Sequence, residues 1–555
     1  MASAPLRRFM PILMRTVVPM IGCALRQRGS STKMKDEPRQ GLIAARELAK
    51  LDNSKAKMSV GRRHLIAKLH AMRVNKFATA TSSSSCADSF GQDEPEDEHN
   101  SWLSRGRKNQ PQWNALGSAS FVMISGGMSQ AWGAGFAIHS GHRDQLLMTV
   151  HMQISWYAAA TIGAILGALL THRIPQQPIY IIGSCLVLAC GVLFLAWPER
   201  SSVIIAARYL DGLANGLVFV PALSTVGEIS VDSMRGLLSS SVDQLSCNTG
   251  IMMQLLYTSI WHIDWNVTIV ADQVHGVLSI VYGVIALALA ATLCVESPVY
   301  LLLRSNEQRA VAALRHLQRP YMVTSETFLQ LDEHKRYVAA NRELKLCEGC
   351  IQRGLPPLLK LLVQRCLSAL GMTLVFWTAL TETIARTSPH IRQCWPYMML
   401  GILRWSGCLC VVPLMDTTGR KKPTLFGTFA AGAFAVAFAT LFERMPHMIS
   451  ALAMLFSFQF FTGMANTASA VYMTEAFPLS IKPYFIALVY VMELLTRLIF
   501  CSYTPTLTGI ATYFYAMGGL SMILFLLGIF SLPETRLTTL TEAHEKMRRW
   551  FNKDF

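Results

Sequence analysis

Glu228-Ile-Ser-Val-Asp-Ser-Met-Arg235-Gly236 sets an acid and a base seven residues apart directly after a long apolar run. The arrangement returns in the other half of the chain as Glu475-Ala-Phe-Pro-Leu-Ser-Ile-Lys482-Pro483. Such an echo is what a chain of two similar halves leaves in its sequence. Working outward, Glu296-Ser297-Pro298-Val299-Tyr300-Leu301 follows the next apolar run of the first half, and Pro533-Glu534-Thr535-Arg536-Leu537-Thr538-Thr539-Leu540 follows the last run of the second. The charges bracket apolar segments, so the segments are the elements to be counted.

Of 555 residues, 52% are hydrophobic and 15% charged, whereas soluble domains carry about 25% charge. Stretches near twenty apolar residues, enough to cross about 30 Å of hydrocarbon, recur at 113–136, 151–171, 178–197, 202–226, 236–259, 273–295, 358–382, 395–415, 423–442, 448–473, 484–503 and 509–532. These twelve segments, helices 1 to 12, predict an all-α membrane protein. Its expected parts are a basic, largely disordered N-terminal region (1–112), a six-helix half (113–301), a linker with short helices (302–357), a second six-helix half (358–532) and a tail (533–555).

Lys and Arg exceed Asp and Glu, giving a net charge of +16, and their distribution speaks for membrane topology and against nucleic acid as partner. The connection 302–357 carries Arg304, Arg309, Arg315, Arg319, Lys335, Arg336, Arg342, Lys345 and Arg353. Arg173, Arg235, Arg420-Lys421-Lys422 and Lys482 fall on the same side, against scattered Arg143, Arg200, Arg386, Arg392 and Arg444 on the other. The rule that positive loops stay inside then makes both termini cytoplasmic, with the plasma membrane as the expected location.

Residues 1–35 are Arg-rich and free of acids, which suits a mitochondrial presequence or a basic tail drawn to an anionic leaflet. Residues 60–77 read as a basic amphipathic or solvated helix, and 81–100 are too polar to bury a core. A sequon, Asn266-Val267-Thr268, falls in an outside loop. Most of the thirteen cysteines lie unpaired in apolar segments, as small buried hydrophobes do. No metal-ligand spacing or phosphate loop is present, so neither enzyme activity nor a cofactor is expected.

Together with Asp416-Thr417-Thr418-Gly419-Arg420-Lys421 after helix 8 and Arg208-Tyr-Leu-Asp-Gly212-Leu-Ala-Asn-Gly216 in helix 4, these motifs resemble the sugar porter branch of the major facilitator superfamily over 113–547. The resemblance implies the major facilitator fold, two six-helix halves around a solute site near the membrane midplane, and alternating access. It also implies a latch of ion pairs at the cytoplasmic helix ends, here Glu228, Arg235, Asp416, Arg420, Glu475 and Lys482. If exposed, such pairs contribute roughly 0 to 1 kcal/mol each. After helix 2, Gly167-Ala-Leu-Leu-Thr171-His172-Arg173-Ile-Pro-Gln-Gln177 lacks the motif's acid and its Gly-Arg-Arg, which leaves Arg420 with Glu475 as the better pair.

The site positions depart from the family. Sugar porters present neutral amides to hydroxyls, which need two-way donors and acceptors. Here helix 7 reads Arg365-Cys366-Leu367 where a Gln pair is expected, and Ala470 or a neighbour replaces a helix 10 Trp. Arg404, Glu493 and Arg497 stand at positions of Asn. In helix 5 a gapless count from Arg235 selects Asp243, while the local Gln-Leu pair selects Gln244, and the register stays open between them. At 1.5 Å per residue, Asp243, Glu493 and Arg404 lie roughly 12, 16 and 18 Å along their helices from the cytoplasmic markers.

A lone charge at that depth costs about 2.5 to 3.5 kcal/mol on insertion scales, so these side chains face the bundle interior. Three readings follow. The charges cancel one another, Asp243 with Arg404 and Glu493 with Arg497 at i, i+4. They line a cavity for a charged or zwitterionic solute. Or Asp243 or Glu493 is a proton-coupling acid. At the level of the chain, a transporter of a small polar solute, sugar by family, stands against a transporter-like sensor or scaffold without turnover, which the degraded first-half motif would suit.

Overall fold

In a computed structural model the described residues are 106–138, 142–143, 146–260, 269–342, 349–387, 394–444, 449–501, 503 and 506–551. The readings of 1–35, 60–77 and 81–100 and the sequon at Asn266 lie outside them. Twelve long helices follow in order: α1 Gln110–Ala131, α2 Val150–Leu170, α3 Gln176–Ala196, α4 Ser201–Ile229, α5, α6 Ala271–Thr292, α7, α8 Trp395–Val411, α9 Lys421–Arg444, α10 Ile449–Glu475, α11 Lys482–Cys501 and α12 Leu507–Ser531. Helix α5 is continuous but irregular, Arg235–Ser240, a π-turn Ser241–Leu245, then Ser246–Ile260. Helix α7 is broken, Gly349–Leu370 and Leu374–Thr387. Short helices Pro298–Leu303, Glu307–His316 and Ser325–Arg342 join the halves, and Leu540–Arg548 follows α12. The strands among the described residues are two-residue partners, His142–Arg143 with Leu146–Leu147.

Ten of these helical segments are long and apolar enough to span a membrane. Helices α1 and α5 are not among them because they turn polar side chains inward: Gln112, Ser118, Ser125 and Ser129 on α1, and Ser239, Ser240, Asp243, Asn248 and Gln254 on α5 are all buried. The peripheral helices show the opposite face, with Ile182 and Val192 on α3 and Ile523, Leu526 and Leu527 on α12 exposed. Apolar outside and polar inside is the pattern of a chain whose solvent is lipid.

Local chemistry sets the helix ends. Thr149 and Thr506 accept from the backbone N–H of Met152 and Gly509 at the starts of α2 and α12, filling donors a helix leaves free. Gly419, at φ +96°, turns the chain between α8 and α9 in a conformation that favours glycine. Helix α7 departs from the expected 358–382: it starts earlier and breaks at 371–373. The carbonyls freed there are taken up by other helices, Gly371 O by Gln459 Nε2 (2.7 Å) and Leu370 O by the Tyr513 hydroxyl (2.6 Å). A break at membrane depth survives only with such substitutes.

The halves meet where α5 packs on α8 and α2 on α11. One apolar core runs through both halves and includes Trp156, Phe219, Val411, Tyr472 and Tyr490, and Phe219 stacks on Tyr490 across the join at 3.7 Å between ring centres.

Candidate functional site

The inward polar faces of α1, α4, α5, α7, α8 and α11 converge on a small cavity whose lining includes all five expected residues, Asp243, Gln244, Arg404, Glu493 and Arg497. Asp243 and Gln244 both lie within the π-turn of α5, Ser241–Leu245. Such a turn inserts one residue into a helix, so a count carried into it from Arg235 can shift by one position. Both side chains reach the cavity, and Gln244 Nε2 donates to Asp243 Oδ2 at 3.1 Å.

The pairing of Asp243 with Arg404 is corrected. Asp243 instead takes an ion pair from Arg365 on α7, whose other nitrogen reaches Glu493 at 3.2 Å. Glu493 in turn accepts from Arg497 Nη2 at 2.8 Å, as its i, i+4 spacing suggests, and Arg497 Nη1 donates to Gln130 on α1. The result is a ladder of alternating charge from α5 through α7 and α11 to α1, crossing between the halves at both ends. Arg365, fully buried, is its central rung. The sequence carried the signal, a charge where an amide was expected, but only the fold shows that its partners are on α5 and α11.

Arg404 stands outside the ladder. Its Nε donates to Asn248 Oδ1 at 2.8 Å and its Nη1 to Gln459 Oε1 at 2.9 Å, both neutral amides. Gly463 allows α10 to approach so closely that a Cβ there would collide with the Arg404 carbonyl. Among the described residues no carboxylate lies within ion-pair distance of Arg404. The lining holds the side chains of Arg365, Arg404 and Arg497 against Asp243 and Glu493, an excess of one positive charge. The space between them, about 20 Å³, suits a water molecule and is too small for a solute. Through Gln459, Arg404 is also tied to Gly371 O at the break in α7.

A second polar group lies within the first half. Asp211 accepts from Ser125 Oγ (2.7 Å) and Trp156 Nε1 (2.8 Å), while Arg208, one turn away, donates to the carbonyls of Ser129 and Met152.

At the end where the basic connections gather, the latch residues are together and their pairing is reciprocal. Arg235 of the first half faces Glu475 of the second at 3.7 Å, and Lys482 of the second faces Glu228 of the first at 3.6 Å. Arg420 adds to Glu475 at 3.0 Å, as expected for that pair, and to Asp416 at 3.7 Å. Asp416 accepts from the N–H of Gly236 (3.0 Å) and Leu237 (2.8 Å) at the start of α5, and Glu534 does the same for Arg420 and Lys421 at the start of α9. Carboxylates belong at helix N-termini.

Burial pushes the Asp416 carboxyl above its ordinary range, with Arg420 and the two amides pulling it back. The estimate for exposed pairs does not apply: Glu228, Arg235, Arg420, Glu475 and Lys482 are each at most 3% exposed. Breaking a buried pair costs about 3 to 5 kcal/mol. With the first-half arginine motif missing, Glu228 is served across the join by Lys482 and within its own half by Ser297 Oγ at 2.5 Å.

The family described as "Sugar (and other) transporter" matches residues 77–547. The galactose-proton symporter of Escherichia coli is 24% identical over 431 residues, 73% of this chain and 88% of that protein. The mouse solute carrier family 2, facilitated glucose transporter member 8 is 31% identical over 169 residues, 29% of this chain and 33% of that protein. Among solved structures, the major facilitator proton:xylose symporter XylE bound to 6-bromo-6-deoxy-D-glucose superposes with a TM-score of 0.66 at 16% identity, covering 79% of this chain and 99% of that one. The inward-open xylose transporter XylE from E. coli gives 0.56 at 15% identity, covering 79% and 99%. With the repeat, the twelve helices and the cross-half ion pairs in place, this chain belongs to the sugar transporter family of the major facilitator superfamily and is a multi-pass transmembrane transporter of small solutes.

Proposed function

We propose that the solute is a small hydroxylated molecule carrying one anionic group, a sugar acid or a comparable organic anion, moved by alternating access. Arg404 carries this reading. A buried guanidinium held, among the described residues, by two amide oxygens is a ready partner for a carboxylate, which it can bind through two parallel hydrogen bonds. Asn248, Gln130 and Gln244 line the cavity and supply amides for hydroxyls, as the sugars in the names of the relatives would require. A solute entering this cavity displaces the side chains that fill it. One that draws on Arg404 also draws on Gln459 and the α7 break, linking occupancy to the segment Leu374–Thr387. The excess of Lys and Arg at the latched end supports a cytoplasmic position for it, and in that orientation, with the plasma membrane as the location, the closed latch corresponds to a cavity shut from inside.

The test is uptake into proteoliposomes of D-glucuronate, D-galactose, D-xylose and an amino acid panel. D-glucuronate should be carried, and Arg404→Gln should lower its uptake by about 10- to 100-fold, the loss of one charge-assisted pair of hydrogen bonds, while the protein stays monodisperse. Transport of D-galactose with no competition from D-glucuronate overturns the proposal.

A further inference from the structure

A second cavity, of about 40 Å³, lies inside the second half between α7, α9, α10 and α12, and it shares no lining residue with the central one. Gln364 and Asn466 project into it. Among the described residues neither the Gln364 Oε1 nor its Nε2 has a hydrogen-bond partner, although both atoms are buried. Asn466 is 5% exposed, and its Nδ2 is likewise unpartnered. The nearby hydroxyls of Thr428, Thr462 and Ser521 donate back into their own helices, which leaves their oxygens as acceptors only. Gln364 and Arg365 are consecutive on α7, about 100° apart around the helix, so one serves this cavity and the other the central ladder.

The cavity adjoins a larger apolar groove of about 250 Å³, with Gln364, Thr428 and Leu524 common to both. Leu359 and Val363 of α7 and Leu527 of α12 line the groove and are exposed on the membrane face of the bundle. At its mouth stand Trp550 and Phe551. They are held there by Lys360, whose Nζ donates to the carbonyls of Ser531 (2.7 Å), Arg549 (2.6 Å) and Met547 (3.3 Å). Polarity is therefore graded from an apolar entrance open to lipid to two unpartnered amides at the closed end.

We propose that groove and cavity form a binding site for a neutral amphiphile taken from the membrane. A hydroxyl or carbonyl head is held by Gln364 and Asn466, and an apolar body lies along Leu359, Val363 and Leu527. The head is uncharged because no ionisable side chain lines the inner cavity, and an ion there would lose its hydration without a counter-charge. A phospholipid chain entering tail-first would set a methyl group against two amides. The transported solute lacks the apolar body that the groove fits.

The test uses the full chain in phosphatidylcholine nanodiscs with two photoreactive probes, hexadecanol and hexadecane, each bearing a mid-chain diazirine. After irradiation, adducts are mapped by peptide mass spectrometry. The alcohol should label α7 and α12 around 359–364 and 524–531 saturably, and excess unlabelled hexadecanol should compete. Labelling should drop about fivefold or more in the double variant Gln364→Leu, Asn466→Leu, as loss of a hydrogen-bonded head requires. It should drop again in Val363→Trp, which fills the groove from its exposed side and leaves the interior intact. Equal labelling by the alkane, non-saturable labelling by the alcohol, or labelling unchanged in the double variant each overturns the proposal and reduces the groove to ordinary lipid contact and the amides to water sites.

Discussion

Arg365 shows how much one residue carries here. It is the only cation bonded to Asp243 among the described residues, and it shares Glu493 with Arg497. Its removal leaves a carboxylate without a counter-charge at membrane depth, where breaking a buried pair costs about 3 to 5 kcal/mol. Arg365→Gln should therefore lower the thermal unfolding midpoint and the yield of monodisperse protein. Adding Asp243→Asn should restore both, because Glu493 keeps Arg497. An equally damaged double variant would show that Arg365 acts through shape and not through charge. The sequence identified Asp243, Arg404, Glu493 and Arg497 as charged replacements at site positions, with Gln244 as the alternative to Asp243. It did not assign their partners, because the contacts between α5, α7 and α11 join segments far apart in the chain.

At the scale of the element, the π-turn Ser241–Leu245 decides which face of α5 meets its neighbours. One residue fewer rotates everything beyond it by about 100°, taking Asn248 from Arg404 and Thr249 from the Trp405 indole, now hydrogen-bonded at 3.0 Å. Deleting Val242 should abolish uptake while the chain still reaches the membrane, as surface labelling would show. Uptake that survives would mean the bulge is dispensable.

The short helix Ser325–Arg342 offers a second check. Burial holds His334 down to about 4, with Arg235 adding to the shift and Glu228 and Asp232 opposing it. A histidine depressed in the folded state is neutral in both states above about pH 6.5. Below that, the unfolded chain takes up the proton first, so stability falls from about pH 6.5 to 4, by at most about 3 kcal/mol at 1.36 kcal/mol per unit. The unfolding midpoint should fall over that window, and less steeply in His334→Gln. The dependence should not vanish, because burial also lowers His172 and His544.

For the whole molecule, the reciprocal ion pairs Arg235–Glu475 and Lys482–Glu228 join the two halves at the basic end. Shifting a two-state equilibrium from 1:99 to 99:1 takes about 5.5 kcal/mol, so a few buried pairs across the join suffice to set the resting state. Glu475→Gln removes the acid shared by Arg235 and Arg420 and should open that end. Nitroxides at the exposed positions Arg173 and Lys422, in a background lacking the exposed Cys185 and Cys410, would report it as a longer inter-spin distance. An unchanged distance distribution would show that the latch does not set the conformational balance.

The sequence by itself determined the membrane class, the two halves, the end-of-helix motifs and the presence of charges at midplane depth. These follow from hydropathy, spacing and helical rise, which are local properties read along one segment at a time. Only the tertiary structure decided that Arg235 serves Glu475 while Lys482 serves Glu228, that Arg365 and not Arg404 neutralises Asp243, and that Arg404 is left to neutral amides. Those outcomes depend on which helices touch and at what rotation, and a single inserted residue in α5 or a break in α7 changes both. The echo of Glu228 to Arg235 in Glu475 to Lys482 marked the repeat, and the fold shows each base of that echo turned toward the other half's acid.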